Sequence, residues 1–150
     1  MASKGSQTIP ICAVGALIFS ENQILLIKRG KPPSMGQWSL PGGAVQLGET
    51  LQEAVIREVR EEVRLNVRPV SVGTVVDRIF KDEKGKISYH YVIIDYVCES
   101  TNGEPVAGSD AAAVGYFGLH ELDSLDMTQG TADVIREVHK LWQATHPKTE

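Results

Sequence analysis

Apolar residues are densest in two stretches, 9–19 and 23–28, both rich in Val, Ile and Leu, with Ser20-Glu21-Asn22 between them. Short β-branched runs around a polar break predict a hairpin. Residues 30–43 (GKPPSMGQWSLPGG) carry the Pro and Gly pattern of a loop, with Trp38 and Leu40 as its anchors to the core. The clearest helix is predicted over Thr50–Val63, where Thr50 and Glu53 form a T-x-x-E capping box and neither Pro nor Gly interrupts the run. Strands follow over Val67–Phe80, bent at Gly73, and over Tyr89–Cys98, joined by the polar turn Lys81–Lys86. Thr101–Asp110 reads as a loop and Val114–Leu119 as a short strand. Thr131–Ala144 reads as a closing helix with Val134, Ile135, Val138, Leu141 and Trp142 on its apolar side, before a fraying tail, His146–Glu150. Strands, helix, strands, helix without an internal repeat predict an α/β fold (mixed α+β) of one domain, a mixed central sheet flanked by helices, with its core at about residues 8–145.

Composition adds limits. A chain of 150 residues can bury a sizeable core without disulfides. Cys12 and Cys98 both sit in apolar runs and are expected as small buried residues, which favours a reducing, cytoplasmic compartment. The apolar stretch at 9–19 is broken by Pro10 and Gly15 and is too short to cross a bilayer, so no membrane association is expected. A formal net charge of −4 argues against binding bulk nucleic acid. It leaves room for a small phosphorylated ligand, because a bound cation can supply the missing positive charge.

The informative segment is 42–63, GGAVQLGETLQEAVIREVREEV. At roughly 100° per residue, Val55, Ile56, Val59 and Val63 share the arc that faces the core, while Glu53, Arg57 and Arg60 occupy the solvent arc. Glu58 and Glu62 are four residues apart and stack along one line beside the apolar arc, with Glu61 next to them. Like charges so placed repel, and partial burial adds to the cost. One reading is a surface helix with i,i+4 ion pairs such as Arg57 with Glu61. The other is a site for a hard cation, Mg²⁺ or Mn²⁺, because the donors are all oxygens. The loop in front favours the site: paired glycines allow close approach of backbone, Gly42 or Gly43 can offer a carbonyl, and Glu49 can fold back.

From Gly43 to Leu65 the chain resembles the Nudix box: Gly, five residues, Glu, seven residues, then Arg-Glu-aliphatic-x-Glu-Glu-x-Gly-aliphatic. Gly43, Glu49, Arg57, Glu58, Val59, Glu61, Glu62 and Leu65 match, eight of nine anchors. Arg64 stands where the family has glycine, so altered geometry at the helix end is expected, with the chemistry kept. The flank GQWSLPGG is also similar. The resemblance implies a Nudix-type α/β/α sandwich and a metal-dependent hydrolase of nucleoside diphosphates linked to another group. It implies Glu58 and Glu62 as main metal ligands, Glu61 sharing metal or water activation, Glu49 and a carbonyl at Gly42 or Gly43 completing the set, and Arg57 orienting a glutamate. Homodimers are common in the family.

Substrate and base are less legible. Many family members place a glutamate in a late loop, and the matching position here is Ala113. Asp110 is then either the base or a turn residue, and Glu61 is the other acid available. Arg29, in the Lys28-Arg29-Lys31 cluster, either meets a phosphate or ends a strand in solvent. Tyr89 and Tyr91 alternate with His90 across a strand, so Tyr91 either stacks on a nucleobase or packs the core. His90 and His120 lack the spacing of a ligand pair. ADP-ribose or a related nucleotide sugar is the leading substrate expectation. A MutT-like nucleoside triphosphate sanitiser comes next, since no proline falls within 71–86. A nucleotide sensor without catalysis, an RNA-end hydrolase and a purely structural domain are the remaining classes.

Overall fold

Strand pairing explains why residues 11–27 carry so little polarity. In the computed structural model, which describes residues 9–101 and 103–145, β1 (Ile11–Ser20) is paired on both sides. It runs parallel to β6 (Ile87–Ser100) with Ile11 opposite Tyr91 and Ile18 opposite Cys98. Its other edge takes β4 (Gly42–Ala44), antiparallel, with Val14 opposite Gly43 and Gly15 opposite Gly42. Its end turns through Glu21-Asn22 into β2 (Gln23–Arg29) as expected. β2 is flanked in turn by β3 (Trp38–Ser39) and β7 (Ala111–Gly118). β5 (Val67–Lys81) forms the far edge against β6. The stretch 30–43, expected as loop throughout, therefore contains one short strand and starts another, because β1 and β2 each have an edge to fill.

The sheet is covered on both faces. One core layer joins Val14, Ala16, Ile18, Leu25 and Ile27 to Ala54, Val55, Val59 and Val63 of α1 (Leu51–Val63). The other joins Leu17, Ile24, Leu26 and Val97 to Leu122, Ile135 and Val138, the last two from α2 (Thr131–Thr145). Alternate residues of one strand thus go to opposite layers, and burying each large aliphatic side chain contributes about 1.5–3 kcal/mol. Trp38 and Leu40 anchor the loop into the α2 layer. β5 bulges at Gly73, where a Cβ would press on Leu17 at 2.8 Å. Among the described residues no helix is long and apolar enough to cross a membrane.

Three expectations need correction. Cys98 is buried but Cys12 is exposed, near the open start of β1, where its lateral neighbour Val92 is exposed as well. Leu141 faces solvent; the buried position on α2 is taken by His139, which packs on Phe19 with ring centroids 5.2 Å apart. The late strand begins at Ala111 and stops at Gly118, with Leu119 opening a 3-10 helix (Leu119–Ser124). The expectation for His146–Glu150 lies outside the described residues.

The end of α1 is also a surprise. Thr50 caps its start with the reciprocal Thr50–Glu53 bonds. Its end is Arg64, at φ 61° and ψ 31°, whose N–H reaches the Arg60 carbonyl at 3.1 Å. Arginine therefore adopts the left-handed shape a glycine would take, and the geometry is kept at a steric cost of about 1 kcal/mol. Substituting Arg64→Gly is expected to raise the melting temperature by about 2–4 °C. A thermal melt showing no rise would overturn this account of the helix end.

Candidate functional site

The last turn of α1 points at the glycine pair. Gly42 N–H donates to Glu62 Oε1 at 2.7 Å, which ties the helix to β4. A Cβ on Gly43 would lie 2.6 Å from the Glu58 carboxyl carbon, so that carboxylate sits directly over the glycine. The wheel placed Glu58 and Glu62 at the edge of the core, and the structure agrees. Glu62 is 6% exposed. Burial drives its carboxyl up to about 8; the Gly42 bond and Arg29 pull it down, while Glu58 and Asp110 push it further up. Burial also raises Glu58, against the pull of Arg57.

Arg57 was expected on the solvent arc and is not there. Its long side chain folds back across the helix, because Glu49 and the Ala44 carbonyl offer planar, multidentate partners for the guanidinium. Nε donates to Glu49 at 2.6 Å, Nη2 to Glu49 at 2.9 Å and to the Ala44 carbonyl at 3.1 Å. Nη1 donates to Glu58 at 2.9 Å and to Glu61 at 3.4 Å. Arg57 holds Glu49 down at about 2. One cation therefore gathers three of the four box glutamates, including the i,i+4 pair with Glu61. Glu61 is the most open of them, with a side chain 49% exposed.

The donors suit a hard cation: carboxylate oxygens beside a glycine strand, with one carboxylate buried where its charge is costly unless offset. Among the described residues no three His, Cys, Asp or Glu side chains yet form a closed ligand group.

A loop docks beside this cluster. The N–H groups of Val106, Gly108 and Ser109 donate to the terminal carbonyls of α1 at Val63, Glu62 and Glu61. The loop ends at Asp110, whose carboxylate pairs with Lys31 Nζ at 2.7 Å. Ala113 lies opposite Lys28 within the β2–β7 ladder and has no acid to offer.

A cleft opens on the α2 face of the sheet, and Gly42, Gly43, Arg29 and Tyr91 all line it. Arg29 donates from Nε to the Pro33 carbonyl at 2.6 Å, which fixes the loop wall. Tyr91 is only 4% exposed and stacks on Tyr89 at 6.1 Å, so its ring is part of the wall and also of a core cluster. The sequence reading missed Arg78 and Asp95, which line the same cleft. An aspartate inside the apolar run YVIIDYVC was the available signal.

Comparison with known proteins identifies the family and the fold. The sequence model of the NUDIX domain matches residues 10–138. An ADP-ribose pyrophosphatase of Methanocaldococcus jannaschii is 39% identical over 116 residues, covering 77% of this chain and 66% of that protein. YjhB of Bacillus subtilis, provisionally named an ADP-ribose pyrophosphatase, is 33% identical over 128 residues, covering 85% of this chain and 59% of that protein. The chain thus spans just under two thirds of the length of these relatives. The crystal structure of a MutT NUDIX hydrolase from Burkholderia pseudomallei superposes with a TM-score of 0.76 at 32% identity, covering 87% of this chain and 98% of that one.

The raised Glu62 carboxyl has a measurable consequence. Below pH about 4.5, its ordinary value, Glu62 is protonated whether the chain is folded or not. Between there and about 8 the unfolded chain ionises first, so the metal-free protein loses stability as pH rises. Glu62→Gln keeps an oxygen for the Gly42 N–H and removes the charge. At pH 8, without divalent metal, it is expected to melt on the order of 5 °C higher than the parent, and at pH 4 to show no gain. A variant that melts lower at pH 8 would sink the reading of Glu62 as a buried, poorly compensated carboxylate.

Proposed function

The chain belongs to the NUDIX family, and from that premise we propose that it is a divalent-metal-dependent pyrophosphohydrolase that cleaves ADP-ribose or a related nucleotide sugar by attack of water on phosphorus. The carrying observation is the placement of Glu58 and Glu62 against Gly42-Gly43. Buried carboxylates held against glycines that line the cleft are expensive unless cation and phosphate complete the charge balance.

In this reading Glu58 and Glu62 hold the metal, with Glu61, Glu49 and backbone at Gly42 or Gly43 contributing. Magnesium or manganese bound there would offset charge on the phosphoryl oxygens and acidify a water. Arg57 positions the glutamates: it already bonds Glu49, Glu58 and Glu61, and it fixes which oxygens of each remain available. Glu61 is the base for water, since it is the most open of the four and only its 3.4 Å bond to Arg57 holds it. Asp110 is committed to Lys31 and tunes Glu62 from a distance. Arg29 lines the cleft where the diphosphate would lie and repays its charge there. The name of the archaeal relative supports ADP-ribose over a nucleoside triphosphate.

Purified protein given ADP-ribose with Mg²⁺ or Mn²⁺ is expected to release AMP and ribose 5-phosphate. A nucleoside triphosphate releasing pyrophosphate faster would move the assignment to the sanitiser class. Glu62→Gln is expected to lower kcat by about 100-fold or more while the fold remains intact by melting. Full turnover by that variant, or by the parent protein in excess chelator, would remove the metal assignment.

A further inference from the structure

Asp95 has no role in the chemistry above, yet its placement is costly. It is 5% exposed in the middle of β6 and lines the cleft. Its carboxylate lies over Gly15: a Cβ at that position would collide with it. Among the described residues no donor hydrogen-bonds it. Arg78 acts on it only through its field, and burial holds the carboxyl up at about 6. A carboxylate that faces a largely apolar cleft without a donor of its own gains from one that a ligand supplies.

The surroundings define that donor. Ile93, Val76, Phe80 and Tyr91 give this part of the cleft apolar and aromatic surface. Arg78 lies against Gly130, on the turn that opens α2, with Nη2 2.7 Å from where a Cβ would stand there. Apolar and aromatic walls beside a carboxylate suit a heterocycle carrying an N–H group. The distance also suits one. Gly42, Gly15 and Asp95 lie side by side across β4, β1 and β6. Asp95 is therefore two strand spacings, roughly 10 Å, from the glycine that Glu62 grips. A nucleotide with its phosphates at Gly42-Gly43 would place its base near Asp95.

Resting on the pyrophosphohydrolase reading, we infer that Asp95 is a specificity-determining residue that accepts a hydrogen bond from the exocyclic amino group of the substrate's nucleobase, which for ADP-ribose is the adenine 6-amino group. A site built around such an acceptor discriminates strongly against an analogue that lacks the donor, because the acceptor is then left buried and unpaired.

The test compares ADP-ribose with its analogue carrying unsubstituted purine in place of adenine. The parent protein is expected to favour ADP-ribose in kcat/KM by at least about tenfold, chiefly through KM. Asp95→Leu, which has a similar shape and no acceptor, is expected to bring the ratio close to one. Asp95→Asn, which keeps an oxygen, should retain part of it. Equal rates in the parent, or an undiminished preference in Asp95→Leu, would overturn the assignment and leave the hydrolase reading standing. If neither compound is cleaved, the ADP-ribose reading falls instead, and calorimetric binding of the same two compounds decides on Asp95. Tighter binding of ADP-ribose that Asp95→Leu abolishes supports it; equal or absent binding overturns it. Melting curves of both variants establish that they are folded.

Discussion

The contact between Glu62 and the Gly42 N–H sets the position of almost everything at the site. It pins the last turn of α1 to the short strand β4, and β4 is in turn a rung on β1, the best-covered strand of the sheet. With the helix held there, Glu58 has nowhere to go but over Gly43, and Arg57 is brought within reach of Glu49 and Ala44. The contact is unusual in being made by a carboxylate that burial disfavours. A core chosen only for stability would place an amide or an aliphatic group here. The site therefore carries stored electrostatic cost, offset by the aliphatic layer of Val55, Val59 and Val63 one turn away.

Arg57 is the counterweight. It binds three carboxylates and a carbonyl, which keeps like charges from driving the helix and loop apart. Its hydrogen bonds to Glu49 also bring the loop before α1 onto the helix.

The two faces of the sheet divide the labour. The α1 face carries the carboxylates, and the α2 face carries the cleft. They meet at β4, whose Gly42 bonds Glu62 and also lines the cleft. The row Gly42, Gly15, Asp95 continues from there across the sheet. Arg64 at the far end of α1 shows how strongly the surroundings hold this geometry: arginine takes a left-handed conformation, and the loop at 106–109 still caps the helix carbonyls.

The local patterns were enough to determine the helix over 51–63, its capping box, the β1–β2 turn, the long β5–β6 pair and the line shared by Glu58 and Glu62. Each of these depends on residues close in sequence, where helical or strand periodicity acts directly. Tertiary structure decided the rest. Arg57 left its solvent arc for partners eight and thirteen residues away. Cys12 was left uncovered beside Val92, an exposed residue of a strand eighty residues on. Leu141 gave way to His139 because Phe19 approached from a distant strand. The meaning of Asp95 came only from its lateral neighbour Gly15, eighty residues earlier in the chain. Periodicity reports which way a side chain points on its own element; it carries no record of what another element brings to meet it.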